Sequence, residues 1–336
     1  VKRFMDLPEL DTGLVRELVA TAKHLEKHPH SDALRGKVAG LLFMNPSLRT
    51  LASMQAGMAQ LGGSSFVITP GQGSWGLETR PGVVMDGDAA EHVREAIPVL
   101  SQYCDVLAVR NFAKGKDLAE DAADAVIRRM ADLSPKPFMN LESAMTHPCQ
   151  SLADWKTLDD LDVPANEGRF VLSWAWHPKA LTYAVPASTL NMAAQRGMKV
   201  TVLRPQGFAL PGSVMATARA LASKSGGSVF ETDDVAAAMD GAHVLYAKSW
   251  CAPSAYGNPE ADAALRASLR EAWCIRESFF ASARADAKFM HCLPVRRNVK
   301  VADEVLDGPR SVVVRQAGNR LHAQKAVLWK MLVDKE

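Results

Sequence analysis

The sequence predicts an α/β protein of two domains, each a mostly parallel sheet flanked by helices. Three observations lead there. At 336 residues the chain is long for one hydrophobic core and suits two of about 150 residues each. Short β-rich runs alternate with amphipathic runs from end to end. Polar motifs fall where strands end, after Met44, at Arg110 and after Met290, which is where open α/β sheets bind ligands.

The elements follow in order. Residues 38–44 read as a buried strand, 49–61 as a helix, 65–69 as a strand, 92–103 as a helix and 106–110 as a strand. Residues 117–133 carry apolar side chains at helical spacing and read as one helix. In the second half, strands are expected at 170–174, 199–203, 243–247 and 289–291, with helices near 185–196, 214–223 and 262–271. A last strand at 311–314 precedes a helix over 316–333. The domain boundary is expected at about Met145, where a helix beginning near His147 passes from one sheet to the next.

Composition narrows the function classes. The 39 basic and 37 acidic residues leave a formal charge of +2, too balanced for a dedicated nucleic-acid binder, and no Lys/Arg run of five occurs. Cys104, Cys149, Cys251, Cys274 and Cys292 are odd in number and lack C-x-x-C spacing, which suggests reduced thiols rather than a disulfide framework or a zinc site. Residues 1–6 lack the apolar core of a signal peptide, and no stretch approaches the roughly 18 apolar residues of a membrane span. A cytoplasmic protein with no membrane partner is expected.

Three motifs carry chemistry. Asn45-Pro46-Ser47-Leu48-Arg49-Thr50 follows a strand and opens a helix. Free N–H groups, the positive end of the helix dipole and short hydroxyls there form a phosphate cradle, to which Arg49 adds a planar charged fork. The ordinary alternative is a serine cap beside a surface arginine. In His147-Pro148-Cys149-Gln150, Pro148 suits a first helical turn and leaves His147 and Gln150 on one side. Both can donate to a carbonyl oxygen that gains charge under nucleophilic attack. His291-Cys292-Leu293-Pro294 suggests a Cys–His catalytic pair, but adjacent strand residues point to opposite faces, which argues against it. A phosphate cradle with donors for a carbonyl fits a molecule in which a carbonyl is joined to phosphate.

The ordered set resembles the carbamoyltransferase family (aspartate and ornithine transcarbamylases), whose common substrate is carbamoyl phosphate. The resemblance covers nearly the whole chain. It implies a fold in which the terminal helix packs back on the first domain, giving domains of 1–145 plus 316–336 and of 146–315. It assigns carbamoyl phosphate to Ser47, Leu48, Arg49, Thr50, Trp75, Arg110, His147, Gln150, Cys292, Leu293 and Arg320. Of these, Arg110, His147, Gln150 and Cys292 are the catalytic candidates, and the transfer is direct. Leu51 stands where the family carries a further arginine. Trp75 lies in the glycine-rich run Gly71-Gln72-Gly73-Ser74-Trp75-Gly76, a loop that in the family reaches into the neighbouring site of a homotrimer. Neither cofactor nor metal is implied.

For the acceptor, Tyr246-Ala247-Lys248-Ser249-Trp250 occupies the place of an aspartate that binds the α-ammonium of free ornithine, and no Ser-Met-Gly loop occurs. A lysine cannot bind an ammonium but can pair with a carboxylate. The resemblance is therefore to acetylornithine and succinylornithine transcarbamylases, with Glu142, His177, Lys248, Leu293, Arg296 and Ala90 at the acceptor. Acetylornithine enzymes carry glutamate at the position of Ala90, and succinylornithine enzymes carry proline. A small uncharged residue admits a succinyl carboxylate that glutamate would repel, so N-succinylornithine is the expected acceptor and N-acetylornithine the alternative. Lys300 matches an acetylornithine-type lysine and otherwise reads as a solvated surface group. Two other classes compete. A nicotinamide dehydrogenase lacks its G-x-G-x-x-G, since residues 170–174 run into Ala175-Trp176-His177-Pro178. A small-anion binding protein would need the cradle but not His147 and Gln150.

Overall fold

The computed structural model describes residues 1–333. Its strands are β1 (Arg3–Phe4), β2 (Val38–Phe43), β3 (Ser64–Ile68), β4 (Leu77–Glu78), β5 (Glu91–His92), β6 (Val106–Arg110), β7 (Phe138–Glu142), β8 (Arg169–Trp174), β9 (Lys199–Leu203), β10 (Ser228–Thr232), β11 (Val244–Lys248) and β12 (Lys288–Met290). Its helices in the first half are α1 (Thr12–Lys27), α2 (Leu48–Gln60), α3 (Val93–Gln102), α4 (Leu118–Ala122), α5 (Ala125–Leu133) and α6 (Pro148–Asp160). The second half adds α7 (Ala184–Gln195), α8 (Gly212–Ser225), α9 (Val235–Met239), α10 (Pro259–Arg266), α11 (Asp303–Leu306) and α12 (Val313–Leu332).

Two five-stranded parallel sheets result, ordered β1-β7-β6-β2-β3 and β10-β9-β8-β11-β12. Central strands such as β6 are buried along their whole length, as parallel strands covered on both faces must be. In the first sheet the chain moves outward from β2 to β3, then restarts at β6 on the other side of β2. In the second it moves from β8 through β9 to β10, then restarts at β11. Each reversal opens a crevice at the C-terminal strand ends. One lies between residues 44–50 and Arg110, the other between residues 175–177 and Lys248.

Helices α6 and α7 join the two sheets. Residues 148–158 of α6 and all of α7 are buried, the mark of helices with neighbours on every side. α12 returns from the second sheet to pack on α1, α2 and α6. No described helix is long and apolar enough to cross a membrane.

Three of the expected elements take a different form, and β1, β7, β10 and α1 were not among those expected. Residues 117–133 form two helices, because Asp124 takes a left-handed φ of 53° between them. Its carboxylate accepts from Ser143 Oγ at 2.5 Å and Ala144 N at 3.0 Å, so tertiary bonds override local periodicity. Residues 311–314 are not a strand: Ser311 makes one bridge to Phe289, and α12 already starts at Val313. The helix expected over 262–271 ends at Arg266 and continues only as a 3-10 turn.

Candidate active site

The first domain supplies a cradle of cations. Ser47 Oγ accepts from Thr50 N at 3.3 Å, so Ser47 does cap α2, and the same residue faces the interdomain cleft. The Arg49 carbonyl accepts from Ser53 Oγ at 2.6 Å, while its guanidinium makes no hydrogen bond to another described residue, which leaves the fork available. The Leu48 side chain is 82% exposed and lies outside the cleft, so only its backbone is on offer there. Arg110 closes β6 and Glu142 closes β7, and the two side chains are ion-paired. The Arg110 guanidinium also rests on the Phe112 ring, 4.3 Å from its centroid. From α12, Arg320 donates to Thr50 Oγ1 at 2.9 Å and to Gln150 Oε1 at 3.1 Å.

His147 and Gln150 do stand together at the start of α6, but they differ in what they present. His147 Nε2 lies 3.1 Å from the Glu142 carboxylate and 3.4 Å from Arg320 Nη1. Burial first, then Arg320 and Arg110, hold the imidazole well below the usual histidine range, so it is a neutral N–H donor. Gln150 departs from the expected donor role. Its Nε2 is committed to Asp154 Oδ1 at 2.8 Å, and its oxygen turns toward Arg320 and the cleft. It is oriented to accept an amide N–H. Gln316 donates to the same Asp154 oxygen at 2.7 Å, and burial pushes the Asp154 pKa up to about 6.

The second domain closes the cleft. Lys248 at the end of β11 donates to Cys292 Sγ at 3.4 Å. His291 and Cys292 follow β12 in a loop and do not pair, because His291 Nδ1 accepts from Leu293 N at 2.9 Å. Leu293 takes φ 53° and is joined to Pro294 by a cis peptide. Arg296 Nε donates to His177 Nε2 at 3.2 Å. Burial first, with Lys300 and Arg296 among the other causes, brings the His177 pKa down to about 4. Lys300 is not the solvated group its position suggested. It is 1% exposed, and burial followed by the charge of Lys248 lowers its pKa to about 7.

Ser47, Arg49, Thr50, Arg110, Glu142, His147, Gln150, Lys248, Cys292, Leu293 and Arg320 thus line one cavity of about 130 Å³. Four cations face a single carboxylate there, which suits a multiply charged anion. Phe112, Val185 and Pro294 complete the wall and escaped the sequence reading. Phe112 offered one signal, an aromatic ring two residues past the terminal arginine of a strand. Trp75 and Ala90 are not brought to this cavity. Both are exposed, and Trp75 Nε1 donates to Glu91 Oε2 at 2.7 Å. A larger hollow of about 400 Å³, beside Pro8, Arg16, Gln195 and Lys224, gathers no comparable set of convergent polar groups.

Two family models match, together spanning most of the chain. Residues 2–160 match the aspartate/ornithine carbamoyltransferase carbamoyl-P binding domain, and residues 182–331 match the aspartate/ornithine carbamoyltransferase Asp/Orn binding domain. The chain belongs to the aspartate/ornithine carbamoyltransferase family. This carbamoyltransferase is 38% identical over 331 residues to the N-acetylornithine carbamoyltransferase of Xanthomonas campestris pv. campestris, covering 98% of this chain and 97% of that one. It is 34% identical over 326 residues to the N-succinylornithine carbamoyltransferase of Bacteroides thetaiotaomicron, covering 96% of each. Among solved structures it resembles an N-acetyl-L-ornithine transcarbamylase in which an alanine replaces one glutamate, complexed with carbamyl phosphate and N-succinyl-L-norvaline. The TM-score is 0.95 and the identity 37%, covering 98% of this chain and all of that one.

Proposed function

We propose that this carbamoyltransferase moves the carbamoyl group of carbamoyl phosphate to the δ-amine of N-succinyl-L-ornithine, in cytoplasmic arginine biosynthesis. The products are N-succinyl-L-citrulline and phosphate. The observation that carries the reading is the single cavity into which Arg49, Arg110 and Arg320 converge with a neutral His147 and an oriented Gln150. The Ser47–Thr50 turn and the arginines hold the phosphate. The Gln150 oxygen takes the carbamoyl N–H, while His147, Arg110 and Thr50 receive the carbonyl oxygen. The δ-amine attacks the carbonyl carbon, a C–N bond forms, the C–O bond to phosphate breaks, and the departing phosphate takes the amine's proton. Donors aimed at the developing oxyanion are each worth roughly 10²–10³ in rate.

The acceptor enters from the second domain. Lys248, Lys300, Arg296 and the neutral His177 form a cationic flank with no ammonium-binding carboxylate among them, which favours an acylated α-amine. Ala90 then reads the acyl group. The transcarbamylase structure with alanine in place of glutamate holds a succinylated ligand, which supports a small residue admitting succinyl. N-Acetylornithine is the second reading, favoured by the buried Lys300 and by the identity to acetylornithine enzymes. Because Trp75 and Ala90 stand outside their own chain's cavity, the reading includes a homotrimer in which this loop serves the neighbouring site. The test is kcat/KM for both acylated ornithines and for ornithine, in wild type and Ala90→Glu. One like-charge contact costs on the order of 1–4 kcal/mol, so the variant should shift preference toward acetylornithine by about tenfold or more. A wild type that prefers acetylornithine, or an unchanged ratio, rejects the succinyl assignment.

A further inference from the structure

Beyond the α6–α7 bridge, the two domains meet again beside the cleft, where residues 114–121 face 256–257. Asp121, buried on α4, accepts three hydrogen bonds: from Lys114 N at 3.0 Å, from Gly115 N at 2.8 Å and from Tyr256 Oη at 2.8 Å. The first two pin the loop that leaves β6. The third comes from the second domain. Tyr256 is itself held in place, its ring stacked on that of Tyr183 with centroids 5.9 Å apart and planes 13° apart. Tyr183 is anchored in turn by donating to the Cys251 carbonyl at 3.0 Å. The next residue, Gly257, has φ +80°, and a Cβ there would stand 2.2 Å from the Lys116 carbonyl oxygen, so the two backbones touch.

The loop fixed in this way is the one that carries Phe112, on whose ring the Arg110 guanidinium rests. Phe112 N donates to Asn45 Oδ1 at 2.8 Å, which ties the same loop to the phosphate turn. Neither Asp121 nor Tyr256 lines the cavity, so neither touches substrate there.

We infer that Asp121 and Tyr256 are positioning residues for carbamoyl transfer. Their hydrogen bond joins the domains across the cleft mouth and holds the loop that aims Arg110. Both a carboxylate and a hydroxyl are required, because the bond is directional and its acceptor is too buried for water to replace the lost donor fully. The inference rests on the reading of Arg110 as a group that acts on carbamoyl phosphate.

Tyr256→Phe keeps the ring stack and removes only the hydroxyl. Its kcat should fall about tenfold, the effect of one hydrogen bond to a charged acceptor, with the melting temperature and the KM of the acceptor near wild type. Asp121→Asn should also lose activity, and the double variant should be no worse than the poorer single, since both remove one link. Gly257→Ala should lose more, because its Cβ has to push Lys116 away. If wild type does not transfer a carbamoyl group to any ornithine derivative, the functional reading itself has failed. If wild type is active but Tyr256→Phe retains wild-type kcat, or the two single losses multiply in the double variant, the positioning role is overturned.

Discussion

Arg320→Lys isolates geometry from charge at the proposed phosphate site. The native guanidinium spans Thr50 Oγ1 at 2.9 Å and Gln150 Oε1 at 3.1 Å with separate nitrogens, and it is 3% exposed. An ammonium keeps the charge but not the fixed fork, so at least one of these bonds is lost, together with bidentate contact to phosphate. One or two charge-assisted hydrogen bonds are worth about 1.5–3 kcal/mol each, which puts the fall in kcat/KM at roughly tenfold to a hundredfold or more. The loss should appear chiefly in the KM for carbamoyl phosphate, since the contact exists before the reaction. Arg320→Ala should be worse, because it also removes the charge and leaves two buried oxygens without their donor. Melting temperatures should move little, because Arg110 and Arg49 stand nearby and losing a third cation relieves repulsion. The assay is steady-state phosphate release at varied carbamoyl phosphate with acceptor saturating. A lysine variant within about threefold of wild type in kcat/KM would refute the fork argument.

His147→Ala should lower kcat by about 10²–10³ with little change in KM, and because His147 is neutral the rise in rate from pH 6 to 9 should persist, tracing an alkyl ammonium of pKa about 10.4. A pH profile that flattens in this variant would assign the titration to the histidine instead. Trp75→Ala and Arg49→Ala proteins should each be poor enzymes, and mixing them under subunit exchange should restore activity. No recovery despite proven exchange would return Trp75 to its own subunit. Burial pushes the Asp6 pKa up to about 8 from 3.8, so the fold favours its neutral form. That stability is fully present below about pH 4 and is lost as pH rises to about 8. Asp6→Asn keeps the acceptor for Leu7 N and should gain in melting temperature over wild type as pH rises from 5 to 8, with no further gain above; an equal difference at every pH would count against it.

What was legible in the sequence divides by physical cause. Strands 106–110 and 199–203 match β6 and β9 to the residue, because short runs rich in valine and leucine leave little choice. The Ser47 cap of α2 and the start of α6 were legible because capping chemistry and Pro at the first helical turn are local signals. The break at Asp124 was not, since its partners Ser143 and Ala144 lie 19 and 20 residues away. The orientation of Gln150 depends on Asp154, one turn on in the same helix, and that spacing could have been read. The burial of Lys300 depends on packing around Lys248 and Arg296, which no window of neighbouring residues reports.

α12 carries Arg320 into a cavity whose other walls come from residues 47–150, 185–248 and 292–294. During synthesis, therefore, the cradle residues leave the ribosome long before the arginine that completes them. A nascent chain holding only the first sheet still lacks two of the cavity's four cations, Lys248 and Arg320, and the helix that covers α1, α2 and α6. Such a fragment exposes the apolar faces that α12 would bury, and it has no finished pocket for a reactive acyl phosphate. The enzyme becomes competent only when its last helix docks, so supplying residues 313–332 as a separate peptide to the shortened chain would recover both compactness and turnover together.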